Sequence, residues 1–337
     1  MSILQEMEEN LKARLHLAPQ PPAGFDPLSA TADELEQFGL PRRPDPHRYE
    51  AAYGVWQRMM SQPLEIVPAT FPVLTEKFDY RISVQALALK IAASDQLETS
   101  ANWSGGYITA NHTGPLLMVF GSWTIPTPNQ PAGAPGGDYR CATWVGLDGL
   151  RRYSDSLPQL GTTQRVVVGS GGTTRTVEAW WQWWIRGANY PPVPFPAPFT
   201  VQIGDPIMCG LAVVSPTRVR VFIRNDANGL FARYDVDAPP AATLLAAIAA
   251  LRGAHAEWIA ERPMQLSSTL LYPLADYGSV DFSDCLTIVP TQVRDLRGAR
   301  FIRMGEIRQA KLRSAIISSA GKTGAPQTIM RARYRAE

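Results

Sequence analysis

Residues 163–185, TQRVVVGSGGTTRTVEAWWQWWI, constrain the fold more than any other stretch. Two β-prone runs flank a glycine-rich break, a hairpin signal that puts the turn around Gly171-Gly172. Successive strand residues point to opposite faces. Val177, Ala179, Trp181, Trp183 and Ile185 therefore share one face, and Glu178, Trp180, Gln182 and Trp184 share the other. The first is wholly apolar and reads as a core face. The second mixes large aromatic rings with a carboxylate and an amide, which is how a substrate groove is lined.

The same texture runs from about residue 98 to the C-terminus. NWSGGYITA, LLMVFGSWTIP, CATWVGLDG, FTVQIGDPIMCGLAVV, RVRVFIRNDANG, LFARYDVD and SVDFSDCLTIV alternate with Gly, Pro, Asn and Asp turns. This spacing predicts a sandwich or barrel of antiparallel strands. One interruption, PPAATLLAAIAALRG, predicts a helical insertion over about 240–252 that stops at Gly253. Residues 1–97 read as a helical and extended N-terminal extension. Ile3, Met7, Leu11 and Leu15 mark an amphipathic helix. Thr31 and Glu34 at capping-box spacing open a helix over about 31–39, and Asp45-Pro46 opens another over about 46–61. QPLEIVPATFPVLTEKF is broken by prolines and extended, and DYRISVQALALKIAAS fits either strand or helix.

Composition removes several functions. The 337 residues carry a net charge of only +2, which gives no general argument for nucleic acid or an anionic membrane. Residues 294–335 hold eleven Lys or Arg against two acids, but these alternate with apolar residues and read as the solvated faces of closing strands. No run is long and apolar enough to span a bilayer. Three cysteines without CxxC spacing exclude a dense disulfide framework, although one bridge remains open. The four histidines are scattered, so no zinc signature exists. SAGKTG lacks the first glycine of a phosphate-binding loop and reads as a hairpin turn, and VGSGG is not a GxSxG elbow. The N-terminus shows no signal peptide, which by sequence alone points to the cytoplasm.

Further polar groups fall on the strands. Trp144, Gly146 and Asp148 share a face of ATWVGLDG, Gln159 precedes Gly161 in SLPQLGT, and Glu257 sits in AHAEWIAERP. The ordered set SANWSGGYI, VFGSWTIP, WVGLDG, PQLGT, EAWWQWW, IGDPI, HAEWIAERP and YGSVDFSDC resembles the glutamic peptidases, or eqolisins, over residues of about 98–337. The resemblance implies a concanavalin A-like, jelly-roll β-sandwich of two antiparallel sheets. It implies a metal-independent, cofactor-free endopeptidase acting on polypeptide, and its dyad falls on Gln159 and Glu257. Trp144, Asp148, Glu178, Trp180, Gln182 and Trp184 would then line the groove of a monomer.

The chemistry of the pair stands apart from the family. Glu257 can take a proton from water and return it to the leaving amine, while Gln159 can hold that water and donate to the oxyanion. Three departures accompany the resemblance. Gln182 stands where the family usually has Glu, which would lower the pKa of a neighbouring Glu257. The helix near 240–252 is an insertion. The family is typically exported, so secretion stands against the missing leader, and residues 1–97 are either a propeptide-like cover or a permanent extension. Glu261 is expected at the surface or in an ion pair. Two rival functions remain: a non-catalytic module binding peptide or carbohydrate, and a glycan hydrolase with Glu178 and Glu257 as its opposed carboxylates.

Overall fold

The computed structural model describes residues 3–74, 78–83, 97–150, 155–185, 191–239, 250–266, 268–308, 313–322 and 327–335. The main strands in chain order are β1 (Trp103–Thr109), β2 (Met118–Thr124), β3 (Gly137–Leu147), β4 (Ser156–Gly169), β5 (Gly172–Ile185), β6 (Pro206–Ser215), β7 (Arg218–Asn225), β8 (Leu230–Asp237), β9 (His255–Glu261), β10 (Ser279–Val289), β11 (Arg300–Arg308), β12 (Arg313–Lys322) and β13 (Met330–Tyr334). They pair antiparallel in two layers. The first runs β8–β7–β6–β2–β10. The second runs β5–β4–β3–β9–β1–β11–β12–β13–β10. This is the expected β-sandwich.

Strand β10 belongs to both layers. Its start pairs with β13 and its end with β2, and the register breaks between Ser283 and Leu286. Asp284, inside the break, has a φ of 52°. A bulge of this kind bends a strand enough to turn the corner between sheets.

The core between the layers is built from inward alternate residues. Trp181, Trp183 and Ile185 enter it from β5, Ala256, Trp258 and Ala260 from β9, and Val219, Val221 and Ile223 from β7. The face sorting of 163–185 is therefore correct, while the hairpin turn sits one residue earlier than expected. Gly169 pairs with Gly172, so Ser170-Gly171 make the turn. SAGKTG is not itself the turn: Ser319–Lys322 are the end of β12 and pair with β13, while positions 323 and 324 lie outside the described residues. All three cysteines are buried and free, so no bridge forms.

The N-terminal residues pack in several places: Leu11 and Leu15 join the core between the layers, residues 30–60 cover the first layer, and residues 78–82 lie on the second. Helix α1 spans Ile3–Arg14, α2 spans Ala32–Gln37 and α3 spans Glu50–Met60. The Thr31–Glu34 capping box is present. Helix α3 starts later than expected because Asp45 accepts from His47 N–H and Arg48 N–H and caps a separate turn. Leu35, Val55, Trp56 and Met59 bury against Phe120, Phe222 and Phe231 on the outer face of the first layer. Arginines there clamp the chain: Arg233 donates to the carbonyls of Pro19, Phe38 and Val67, and Arg224 to those of Met59, Ser61 and Pro63. Tyr80-Arg81 forms a short strand against Met264-Gln265. The remainder of DYRISVQALALKIAAS beyond Ser83, and positions 240–249 of the expected helical insertion, lie outside the described residues.

Candidate active site

Residues directly opposite one another on antiparallel strands share a face. Tyr107 of β1 stands opposite Glu257 of β9, Glu257 opposite Gly146 of β3, Gly146 opposite Gln159 of β4, and Gln159 opposite Gln182 of β5. Five strands thus lay down one row. Its face is turned away from the inter-sheet core, because Ala256 and Trp258, on either side of Glu257, belong to that core.

Gly146 leaves the middle of the row bare. A Cβ there would lie 2.9 Å from Leu157 Cδ1 and 3.0 Å from Trp144 Cζ3. Glu257 and Gln159 consequently face each other across a backbone position, with about 10 Å between their Cα atoms for two strand spacings.

Both side chains are wholly buried, and each has one end fixed. Glu257 Oε2 lies 3.1 Å from His255 Nδ1. Gln159 Nε2 donates to Gln182 Oε1 at 3.2 Å. The other end is open in both: Glu257 Oε1 and Gln159 Oε1 are buried and accept no hydrogen bond among the described residues. Burial holds the Glu257 carboxyl well above the usual carboxylate range, and the charge of Asp148 adds to this. Burial pushes the His255 imidazole down to about 4.

Two more rows extend the face. Ile259, Trp144, Gly161 and Trp180 form the next, and Gly161 gives room to Trp144, whose Cβ would lie 2.6 Å from a Cβ at 161. Trp103, Glu261, Ala142, Thr163 and Glu178 form the one after. Glu261 is not at the surface and makes no ion pair among the described residues; it is fully buried. Its Oε1 accepts from Ser83 N–H and Asn102 Nδ2, and its Oε2 from the indole N–H groups of Trp103 and Trp144, at 3.0–3.2 Å. Strand alternation puts it on the Glu257 face, where these donors replace solvent.

The other predicted residues divide. Trp144 and Trp180 are on this face and buried, and Trp180 Nε1 donates to Thr163 at 2.8 Å. Trp184 is half-buried opposite Leu157. Glu178 is half-buried beside a cavity of about 120 Å³ lined by Tyr80, Arg140, Thr163, Arg165 and Thr176. Asp148 is different. It lies just past β3 with a φ of 65°, and its carboxylate accepts from the backbone N–H groups of Arg252, Gly253 and Ala254 at 2.6–3.2 Å. It ties two chain segments together instead of facing a ligand. Gln182, expected beside Glu257, is separated from it by strands β3 and β4 and touches Gln159 instead. Glu178 stands three strands and four residues from Glu257, roughly 14 Å in each direction, too far for opposed carboxylates across one glycosidic bond. His255 was the residue that sequence reasoning passed over. Its place two positions before Glu257, on the same strand face, was the available signal.

Part of the N-terminal extension lies on this face. Phe78, Tyr80 and Ile82 join one buried cluster with Trp103, Tyr107, Trp144, Trp180 and Ile259. The backbone of Ser83 is read at both ends: its N–H donates to Glu261 at 3.0 Å, and its carbonyl accepts from Trp103 Nε1 at 2.9 Å. Asp79 pairs with Arg140, whose guanidinium is almost fully buried and stacks 3.7 Å from the Tyr272 ring centroid.

The sequence matches the Peptidase A4 family over residues 101–324. The chain belongs to that family, the glutamic peptidases or eqolisins. It is similar in structure to scytalido-glutamic peptidase with a peptide-based transition state analog, at 19% identity and a TM-score of 0.54, covering 70% of this chain and 98% of that one. It is likewise similar to SCP-B, a member of the eqolisin family of peptidases, in a complex with the tripeptide Ala-Ile-His, at 19% identity, a TM-score of 0.52 and the same coverage. No curated protein matches the chain. At this identity the two structures establish the eqolisin fold, and the family match establishes a peptidase.

Proposed function

We propose that this peptidase cleaves polypeptides with a Gln159–Glu257 dyad acting on a single water. The observation that supports it is the pair of unpartnered Oε1 atoms, buried on one row and facing across Gly146. One water donating a hydrogen to each acceptor satisfies both, and leaves its lone pair for a carbonyl carbon. Glu257 takes the water's proton as the C–O bond forms. The second Nε2–H of Gln159 donates to the oxyanion, the first being held by Gln182. Glu257 then returns the proton to the amine nitrogen as the C–N bond breaks. Base, acid and oxyanion donor all come from the chain, so activity is expected to survive chelators and serine- or thiol-directed reagents. Digestion of a denatured protein across about pH 2 to 8, with a Glu257→Gln control and with EDTA, tests this reading; zinc-restored loss in EDTA would count against it.

The same reading makes Phe78–Ser83 a built-in cover. Glu257 and Gln159 are fully buried while this segment sits on their face, and Ser83 takes the backbone contacts that an extended substrate would use. Helices α2 and α3 and the arginine-clamped stretches, by contrast, form a layer on the opposite sheet. On this account the cover has to move before substrate enters.

A further inference from the structure

The carboxylate of Glu257 has two oxygens, and the dyad reading uses only Oε1. What holds Oε2 decides where Oε1 points. The holder is His255, two residues earlier on β9 and fully buried. A neutral imidazole carries one ring hydrogen. The backbone N–H of Leu150 donates to His255 Nε2 at 3.1 Å, so Nε2 is an acceptor and the hydrogen sits on Nδ1. The 3.1 Å contact to Glu257 is then Nδ1–H donating to Oε2. Backbone thus fixes the tautomer, the tautomer fixes the donor, and the donor fixes the carboxylate.

We propose that His255 is a positioning residue of the peptidase: its Nδ1–H, set by Leu150, orients Glu257 and favours its ionised, water-activating form. The inference rests on the Gln159–Glu257 reading. The groups facing His255 are consistent with it. Asp148, just past β3, donates its backbone N–H to the His255 carbonyl at 2.8 Å, and its carboxylate is occupied by three backbone N–H groups. The Tyr107 ring stands edge-on at 6.3 Å, and its hydroxyl is turned to Glu98 at 2.7 Å. Neither is bonded to Glu257 Oε1, which accepts no hydrogen bond among the described residues. The neutral state that the argument needs is the one burial favours, since the imidazole is held down to about 4.

The test compares two isosteres in the full chain. Asn places its amide N–H near Nδ1, whereas Gln places it near Nε2. His255→Gln is expected to lose on the order of 10- to 100-fold in kcat, the range for losing one hydrogen bond to a charged group, with KM little changed. Its acid limb should move to higher pH, because an unsupported Glu257 ionises later. His255→Asn should recover most of the kcat and the limb. A folded His255→Gln with wild-type kcat and a superimposable acid limb overturns the proposal, whereas full activity in Glu257→Gln overturns the dyad reading beneath it. Nitrogen-15 spectra of histidine-labelled wild type supply a readout that needs no His255 variant. The resonance perturbed by Glu257→Gln should show a protonated Nδ1 and a bare Nε2 near neutral pH; a protonated Nε2 there overturns the assignment.

Discussion

Glu257 and Gln159 stand in one row on the same face of one sheet, with Gly146 as the backbone position between them. The spacing follows from the register and needs no loop to hold it. Gly146→Ala puts a methyl group into the gap, 2.9 Å from Leu157 Cδ1. The Leu157 tip can shift, so the stability cost should be about 1–3 kcal/mol. The cost to kcat should be larger, on the order of tenfold or more, because misplaced reacting groups are expensive. A thermal melt with peptide kinetics separates the two; an unchanged kcat would show that the gap is not used.

The neighbour of Gln182 is Gln159, so Gln182 is expected to act on the amide and not on the acidity of Glu257. Removing the acceptor in Gln182→Ala should lower kcat by roughly fivefold to tenfold, the worth of one net hydrogen bond. Gln182→Glu keeps an acceptor at the same place and should retain most activity, with its acid limb close to wild type. A large upward shift of that limb would mean that the two carboxylates interact across the intervening strands.

Much of this was legible in the sequence because strand periodicity is strict. The faces of Trp181 and Trp180 and the sandwich follow from alternation and turn spacing, while the candidate pair Gln159 and Glu257 comes from the family resemblance. What was not legible depends on partners far along the chain. Glu261 reads as a surface charge until Ser83, Asn102, Trp103 and Trp144 are seen to converge on it. Asp148 reads as groove lining until its positive φ turns it toward the backbone of 252–254. The cross-strand neighbour of Gln182 is set by register, which no single strand carries.

Stability should depend on pH in two opposite ways. Glu257 has a raised pKa in the folded chain, so its contribution is full below about pH 4.5 and is lost as pH rises. His255 is held down to about 4 against an ordinary 6.5, so the unfolded chain binds more protons between those values and stability rises with pH across that window, by up to about 3 kcal/mol. In melts from about pH 3.5 to 7, Glu257→Gln should remove a decline toward neutral pH, and His255→Gln should remove a rise. Curves parallel to wild type would show that neither group titrates differently on folding.

The cover over the site should be adjustable without touching the dyad. Ser83→Pro deletes the N–H that Glu261 accepts, and Asp79→Ala removes one of the two carboxylates that pair with Arg140, leaving Asp138. Both changes should raise kcat/KM on a short peptide, by about threefold to tenfold per lost contact. Activity equal to or below wild type in well-folded variants would mean that the segment supports the site instead of covering it.

The central claim is that Glu257 moves the proton and Gln159 holds the water. The most direct measurement is kcat on one unstructured peptide for wild type, Glu257→Gln and Gln159→Ala, each with a melting curve. Glu257→Gln is nearly isosteric, and the account predicts a folded protein with activity lower by on the order of 10² to 10⁴. Gln159→Ala should also fall by on the order of 10² or more. A folded Glu257→Gln that cleaves the peptide at the wild-type rate would contradict the account.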